Sequence, residues 1–194
     1  MKNIIKNTAI LTVITLVAGL LLGFVYDITK EPIALAKEKA KVEAYQAVMQ
    51  EAEAFDAAEV ETVDLGIDDC VINEVVVAKA GDEVKGYVVT ATSIGYGGNL
   101  QVSVGIASDG TVKGIEILTI AETPGLGMNA TKPEFKGQFA EKQVEAFVVT
   151  KAGAVADNEI DAISSATITS NAVTNAVNSA ITYFNQVLGG SVNE

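Results

Sequence analysis

Residues 8–26 form the segment that most restricts the fold of this chain. The segment has no charged side chain and consists of Leu, Ile, Val, Ala, Gly and Thr with Phe24 and Tyr26 near its end. About 20 such residues are needed for a helix to cross the hydrocarbon core of a bilayer, where every backbone group must be bonded within the segment. A cleaved secretory signal has a shorter apolar core and a small-residue cleavage site, but Asp27 follows Tyr26 here. Residues 1–29 are therefore predicted to be a transmembrane anchor.

The charges that flank the anchor predict its orientation. Lys2 and Lys6 precede the apolar segment without any acidic residue, whereas acidic residues accompany the lysines that follow it. Cytoplasmic flanks of membrane helices are enriched in Lys and Arg. We expect a single-pass protein of the cell membrane, with its N-terminus in the cytoplasm and the rest of the chain extracytoplasmic.

Residues 30–58 are rich in Ala, Glu and Lys, which favour helix. Val42, Tyr45, Val48 and Met49 recur at near-helical spacing, and Pro32 is predicted to interrupt the helix. Two interpretations are open. The segment is either a helical stalk that holds a domain above the membrane, or the first helix of that domain, packed through its apolar stripe.

Residues 59–194 are predicted to form one α+β domain with a mainly antiparallel sheet. Runs rich in β-branched residues occupy positions 71–79, 84–93, 100–107, 112–120 and 144–150, and glycine-containing turns separate several of them. These runs predict hairpins in one sheet. A short helix is expected near residues 133–139 and a long helix at the C-terminal end. The apolar stripe of the long helix consists of Val173, Ala176, Val177, Ala180, Ile181, Phe184 and Leu188.

Small hydroxyl residues precede the C-terminal helix. Ser164, Ser165, Thr167 and Thr169 lie where the helix is expected to begin. Helix N-termini present unpaired N–H groups and the positive end of the helix dipole, so they favour phosphate, and Ser or Thr can also cap them. The local chemistry suits a phosphate ester, although simple capping explains the same residue types.

Composition excludes several kinds of site. The formal net charge of −12 opposes binding to the phosphates of nucleic acid. Cys70 is the single cysteine and there is no histidine, so an internal disulfide, a Ser-His-Asp triad, the usual zinc sites and an iron–sulfur cluster ligated by this chain alone are excluded. No metal site is expected. Redox chemistry would require an organic cofactor.

Three loops resemble those of FMN-binding domains, in the family's order. Residues 161–167 read Asp-Ala-Ile-Ser-Ser-Ala-Thr and resemble the flavinylation motif Asp-x-x-Ser/Thr-Gly-Ala-Thr, with Ser165 where Gly is commonest. Residues 94–100, Ile-Gly-Tyr-Gly-Gly-Asn-Leu, and 122–127, Glu-Thr-Pro-Gly-Leu-Gly, resemble two loops of the same family. The resemblance implies covalent FMN, esterified through its phosphate to Thr167 by a dedicated flavin transferase, for which Asp161 is a recognition residue.

The resemblance also implies contacts for the other parts of the cofactor. It places two loops near the flavin ring and the residues of the flavinylation motif near the phosphate. The loop residues are Tyr96, Glu122, Thr123, Gly125, Leu126 and Gly127, and the motif residues are Ser164, Ser165 and Ala166. Thr167 is an attachment point and not a catalytic residue in turnover.

The anchor, the domain size and the three loops together resemble the G subunit of the Rnf complex, the ion-translocating ferredoxin:NAD+ oxidoreductase. This resemblance implies an electron relay among other membrane subunits of a complex that moves Na+ or H+; the chain alone is not an enzyme. One alternative is the C subunit of the Na+-pumping NADH:quinone oxidoreductase, which shares the motif, the anchor and the covalent FMN. Another is a membrane-anchored binding or structural module without redox activity.

Overall fold

A computed structural model of the protein describes residues 1–189. Its first element, α1 (Lys2–Val48), contains the apolar segment, and it is the one helix in the described part of the chain that is long and apolar enough to cross a membrane. The chain divides into two compact units, residues 1–41 and 42–194. The helix continues through Pro32, so the predicted interruption is wrong. Proline removes one backbone donor, but good helix formers flank it on both sides.

The end of α1 packs as part of the second unit. Tyr45, Val48 and Met49 are buried with Ala52 in a small apolar cluster on one face of the sheet, and the strand residues in it are Val76, Ala78 and Val88. Val42 is exposed. The end of α1 therefore fits the interpretation as the first helix of the domain. Residues Ala54–Ala58 are a strand, not a continuation of the helix.

Five antiparallel strands form the main sheet, in the order of the sequence. They are β1 (Ala54–Ala58), β2 (Val71–Ala80), β3 (Glu83–Ile94), β4 (Asn99–Ala107) and β5 (Val112–Thr119). Four of them coincide closely with the predicted β-branched runs, because such side chains pack well on a pleated surface. The prediction missed β1, whose Ala-rich sequence lacks that signal.

The C-terminal helix α3 (Thr167–Tyr183), extended by a π-helical turn at Phe184–Leu188, covers the face of the sheet opposite the end of α1. Every member of the predicted apolar stripe is buried, and Val173, Ala176 and Val177 pack in the same core as Val89 and Val102. Where one short helix was predicted, the chain forms α2 (Pro133–Lys136) between the 3-10 turns Gly127–Thr131 and Gly137–Phe139. The α+β prediction is confirmed.

The prediction that residues 144–150 belong to the main sheet is wrong. Only β6 (Val148–Thr150) is a strand, and it pairs in parallel with β7 (Glu159–Asp161) in a separate sheet of two strands. The preceding Phe147 is buried in the core, and the Asn178 side chain bonds both of its backbone groups, at 2.8 and 2.9 Å. That amide takes the hydrogen bonds that a neighbouring strand would otherwise make.

Candidate functional site

A four-residue loop, residues 95–98, connects β3 to β4 and forms one side of the site. The loop is closed by a 2.8 Å hydrogen bond from the Gly95 N–H to the Gly98 carbonyl. Its Tyr96 side chain is 74% exposed, although aromatic side chains usually bury much of their surface. An aromatic ring is thus held at the surface on a glycine-rich turn.

A tight turn at residues 123–126 forms the second side. The Leu126 N–H donates to the Thr123 carbonyl at 3.1 Å, with Pro124 second in the turn and Gly125 third at φ +78°. This is the arrangement of a type II turn, in which the third residue needs positive φ and Gly adopts it at no steric cost. The Asn129 side chain donates to the Gly125 carbonyl at 2.9 Å and fixes the turn. The turn predicted from Thr-Pro-Gly is present.

Glu122 joins these two loops. Its side chain is buried, and Oε1 accepts hydrogen bonds from the backbone N–H groups of Tyr96 at 2.7 Å and Gly97 at 3.2 Å. A Cβ atom at Gly127 would lie 2.6 Å from both Glu122 Oε2 and Thr169 Oγ1. A side chain at position 127 would therefore have to displace the side chains of Glu122 and Thr169.

The third side is the start of α3. Ser165 has φ +60°, and Ala166 is the N-cap residue, with no side-chain capping bond from the described residues. The backbone bond from the Ser170 N–H to the Ala166 carbonyl is 3.0 Å long, and no acceptor within residues 1–189 bonds the N–H groups of residues 167–169. Hydroxyl capping, the alternative explanation of these residue types, is absent from this part of the chain, so those donors are left unpaired.

The three segments enclose a cavity of about 490 Å³, a volume within the range of about 300–1,000 Å³ that is common for small-molecule sites. Most of the residues assigned by resemblance line it. The lining consists of Tyr96, Glu122, Thr123, Leu126, Gly127, Ser165, Ala166, Thr167, Ile168 and Thr169.

Three of the assigned residues do not line this cavity. Gly125 shapes the turn instead, and Ser164 is exposed. Asp161 ends β7 and borders a separate groove. Its carboxylate accepts the Ala154 N–H at 2.6 Å, and its own N–H donates to the Gln138 side chain at 2.6 Å. Asp161 thus organises the chain before the motif.

Sequence reasoning did not assign Ile168 or Ser170 to the site, whereas Thr169 was among the hydroxyl residues at the predicted helix start. Ile168 and Thr169 line the cavity, Ile168 being exposed and Thr169 almost fully buried. Ser170 Oγ accepts the Ile163 N–H at 2.9 Å and donates to the Ala166 carbonyl at 3.0 Å, which closes the motif loop. Ile168 is an apolar residue at the start of a helix but outside the core stripe, and this position was the sequence signal that could have assigned it to the site.

The lining combines three kinds of chemistry. Leu126 and Ile168 supply apolar walls, Thr167 supplies a half-buried hydroxyl, and the first turn of α3 supplies N–H donors and the positive end of the helix dipole. A flat apolar group that carries a phosphate fits this set. Within residues 1–189 there is no group of His, Cys, Asp and Glu side chains that could hold a metal ion.

Comparisons with known proteins agree with this chemistry. Residues 95–182 match the family model of the FMN-binding domain, and residues 1–48 match that of the RnfG N-terminal region. Crystal structures of NqrC from Shewanella oneidensis and of the C subunit of Na+-translocating NADH-quinone reductase from Parabacteroides distasonis have the same fold, with TM-scores of 0.52 and 0.53 and 22% identity to this chain. The two alignments cover 72% and 70% of this chain, and 72% and 77% of those chains.

Similarity to relatives extends over nearly the full length of the chain. The G subunit of the ion-translocating oxidoreductase complex of Methanosarcina acetivorans is 36% identical over 94% of this chain and 95% of its own length. The G subunit of the proton-translocating ferredoxin:NAD+ oxidoreductase complex of Clostridium ljungdahlii is 32% identical over 97% and 96%. Its Na+-translocating counterpart in Acetobacterium woodii is 35% identical over 93% and 91%. The chain has an apolar N-terminal helix followed by an FMN-binding domain, and these relatives match it over nearly its full length. It therefore belongs to the RnfG family, the G subunits of Rnf ion-translocating oxidoreductase complexes.

Proposed function

We propose that this protein is a membrane-anchored electron-transfer subunit that carries FMN covalently on Thr167. In this proposal it relays electrons within a ferredoxin:NAD+ oxidoreductase complex that moves Na+ or H+. The observation that supports it most strongly is the meeting, in one cavity, of the Thr167 hydroxyl, the unpaired N–H groups at the start of α3 and the two glycine-containing loops.

Thr167 is the better placed of the two threonine hydroxyls for attachment. Thr167 is half-buried at the first position of α3, whereas Thr169 is 1% exposed with its Oγ1 directed toward Gly127. Attachment forms a bond between Thr167 Oγ1 and the phosphorus of the FMN phosphate, while the bond from that phosphorus to its leaving group breaks and the hydroxyl proton is lost. Relative to free FMN and the unmodified chain, the product lacks one water. The N–H groups of the first turn and the helix dipole then stabilise the negative charge of the phosphate.

The remaining lining residues hold the ring system. A bound flavin supplies the one-electron chemistry, and the protein supplies orientation and electrostatics. Leu126 and Ile168 offer apolar surface that excludes water from one part of the cavity, and Tyr96 offers an aromatic ring at its rim. The covalent bond keeps the cofactor on a site that is open to solvent.

The proposal includes a location and partners. Residues 1–29 are the anchor, residues 30–58 contain the connecting helix and the first strand, and residues 59–194 form the rest of the FMN-binding domain. The N-terminus is cytoplasmic and the domain extracytoplasmic, on the side where a flavin transferase acts on the exposed Ser164–Ser165 segment. The exposed apolar side chains of residues 8–26 contact lipid and other membrane subunits.

The experiment compares Thr167→Val with Thr169→Val in the full-length chain produced together with a flavin transferase. Each protein is denatured, and the masses of the intact chain and of the peptide that contains residue 167 are measured. We expect wild type and Thr169→Val to gain one FMN less a water on that peptide. Thr167→Val should lose the adduct completely, because valine has no hydroxyl to esterify.

Two outcomes contradict the proposal. An adduct retained in Thr167→Val but lost in Thr169→Val would move the attachment to the second threonine. An unmodified wild-type peptide, with the transferase active on a control substrate, would support a non-redox module whose helix N-terminus holds another anion.

A further inference from the structure

Glu122 differs in charge from everything around it in the cavity. Of the lining residues in the described part of the chain, it is the only one with a charged side chain. The side chain is 8% exposed, yet within residues 1–189 no lysine or arginine pairs with it. A buried charge without a cationic partner has a desolvation cost that its hydrogen bonds must offset.

One carboxylate oxygen accounts for both of those hydrogen bonds. Oε1 accepts the N–H groups of Tyr96 and Gly97, which fixes the exposed loop against the segment that precedes the Thr123 turn. Hydrogen bonds to an ionised acceptor are roughly twice as strong as those between neutral groups. We call this arrangement the Glu122 latch.

The other oxygen is directed differently. Oε2 has no hydrogen-bond partner among the described residues, and it lies beside Gly127. Glu122 and Gly127 both line the cavity. Because Gly127 has no side chain, this oxygen remains close to the space that a ligand would occupy. Its unused lone pairs and its charge therefore act on whatever the cavity holds.

We propose that Glu122 is a positioning residue with two roles: Oε1 latches the Tyr96 loop over the cavity, and the negative charge at Oε2 lowers the reduction potential of the flavin bound there. The second role rests on the proposed function. An electron added to the flavin from an external reductant, without an accompanying proton, makes the cofactor one charge more negative. A neighbouring carboxylate in a partly desolvated site disfavours that addition, because like charges repel more strongly at lower effective dielectric.

The chain provides a matched control in Glu159. Its Oε2 also accepts two consecutive backbone N–H groups, those of Val155 at 2.7 Å and Ala156 at 3.1 Å, and these bonds lower the pKa of that carboxyl. Glu159 does not line the cavity. Glu159→Gln therefore reproduces the change of net charge and the change from carboxylate to amide, but away from the flavin.

The first measurement is a redox titration of the full-length protein, after peptide mass has established covalent loading of each variant. In Glu122→Gln the amide oxygen still accepts from the loop while the charge is removed. We expect the midpoint potential of Glu122→Gln to be more positive than that of wild type, and that of Glu159→Gln to be unchanged. Equal potentials in wild type, Glu122→Gln and Glu159→Gln would overturn the electrostatic role.

The second measurement tests the latch without any cofactor. Amide hydrogen exchange of Tyr96 and Gly97 is followed in the unloaded full-length chain. We expect protection in wild type and Glu122→Gln, and exchange roughly tenfold or more faster in Glu122→Ala, which lacks the acceptor. Unchanged protection in Glu122→Ala would overturn the latch. An unmodified Thr167 peptide in wild type would overturn the proposed function, whereas the exchange rates would still decide the latch.

Discussion

At the scale of single residues, the backbone of Ser165 is unusual. This serine, which stands where FMN-binding domains most often have glycine, adopts φ +60° immediately before the N-cap residue Ala166. The left-handed region costs a residue with a Cβ atom roughly 1–2 kcal/mol relative to right-handed conformations. The turn that presents Thr167 is therefore formed at some conformational cost, and the bonds of the Ser170 hydroxyl on either side of it hold the loop closed.

We predict that Ser165→Gly stabilises the protein. Glycine adopts positive φ freely, and this gain exceeds its greater entropy in the unfolded chain, for a net increase of about 0.5–1 kcal/mol in the free energy of unfolding. Urea denaturation of wild type and variant measures the difference. The control is Ser164→Gly, which should be neutral or destabilising because the φ of Ser164 is not positive. A lower midpoint for Ser165→Gly than for Ser164→Gly would contradict this explanation.

At the scale of elements, the end of α1 is positioned by close contact with the middle of the sheet. A Cβ atom built at Gly105 of β4 would collide with the Val48 carbonyl oxygen and would lie 3.0 Å from the Val48 carbonyl carbon and Cβ. Tyr45 adds a 2.9 Å hydrogen bond to the Glu74 carboxylate on β2. The position of the end of α1 thus depends on the absence of a side chain at Gly105.

We predict that Gly105→Ala destabilises the protein by about 1–3 kcal/mol, since an added methyl group in a packed contact must displace backbone. Its partner in the β4–β5 register, Gly114, has open space on the side where a Cβ atom would lie, with no heavy atom of residues 1–189 within 4 Å of that position. Gly114→Ala is therefore the control and should be neutral or stabilising, by up to about 1 kcal/mol. Chemical denaturation compares the two variants. Equal stabilities would show that the α1 end does not need the space at Gly105.

At the scale of the whole molecule, the apolar and acidic parts of the chain are separated along the sequence. The apolar segment of α1 is exposed throughout, while the domain has its own buried core between the sheet and α3. The formal net charge of the whole chain, −12, opposes binding to other polyanions.

We predict that Cys70 is accessible only from the extracytoplasmic side. It is the single cysteine and is partly exposed, so a membrane-impermeant maleimide should label it in intact cells. In a Cys70→Ala background, Asn3→Cys should be labelled only after the cells are permeabilised, because the proposed orientation places the N-terminus in the cytoplasm. The reverse pattern, with Asn3→Cys labelled first, would invert the proposed orientation.

The sequence by itself determined the features that depend on local pattern. Composition identified the α1 apolar segment, β-branched runs identified four strands of the main sheet, and helical spacing identified the buried stripe of α3. Resemblance to three loops of FMN-binding domains assigned most of the residues that line the cavity. These properties are readable because hydrophobic periodicity and turn chemistry are expressed within a few neighbouring residues.

Only the tertiary structure decided how distant segments meet. The Glu122 latch joins residues 26 positions apart, and the hydrogen bond between the Asn178 amide and the Phe147 backbone joins residues 31 positions apart. Ile168 and Thr169 line the cavity because the Thr123 turn and the Tyr96 loop approach the start of α3. Such contacts depend on the packing of the whole sheet against α3, which no local pattern specifies.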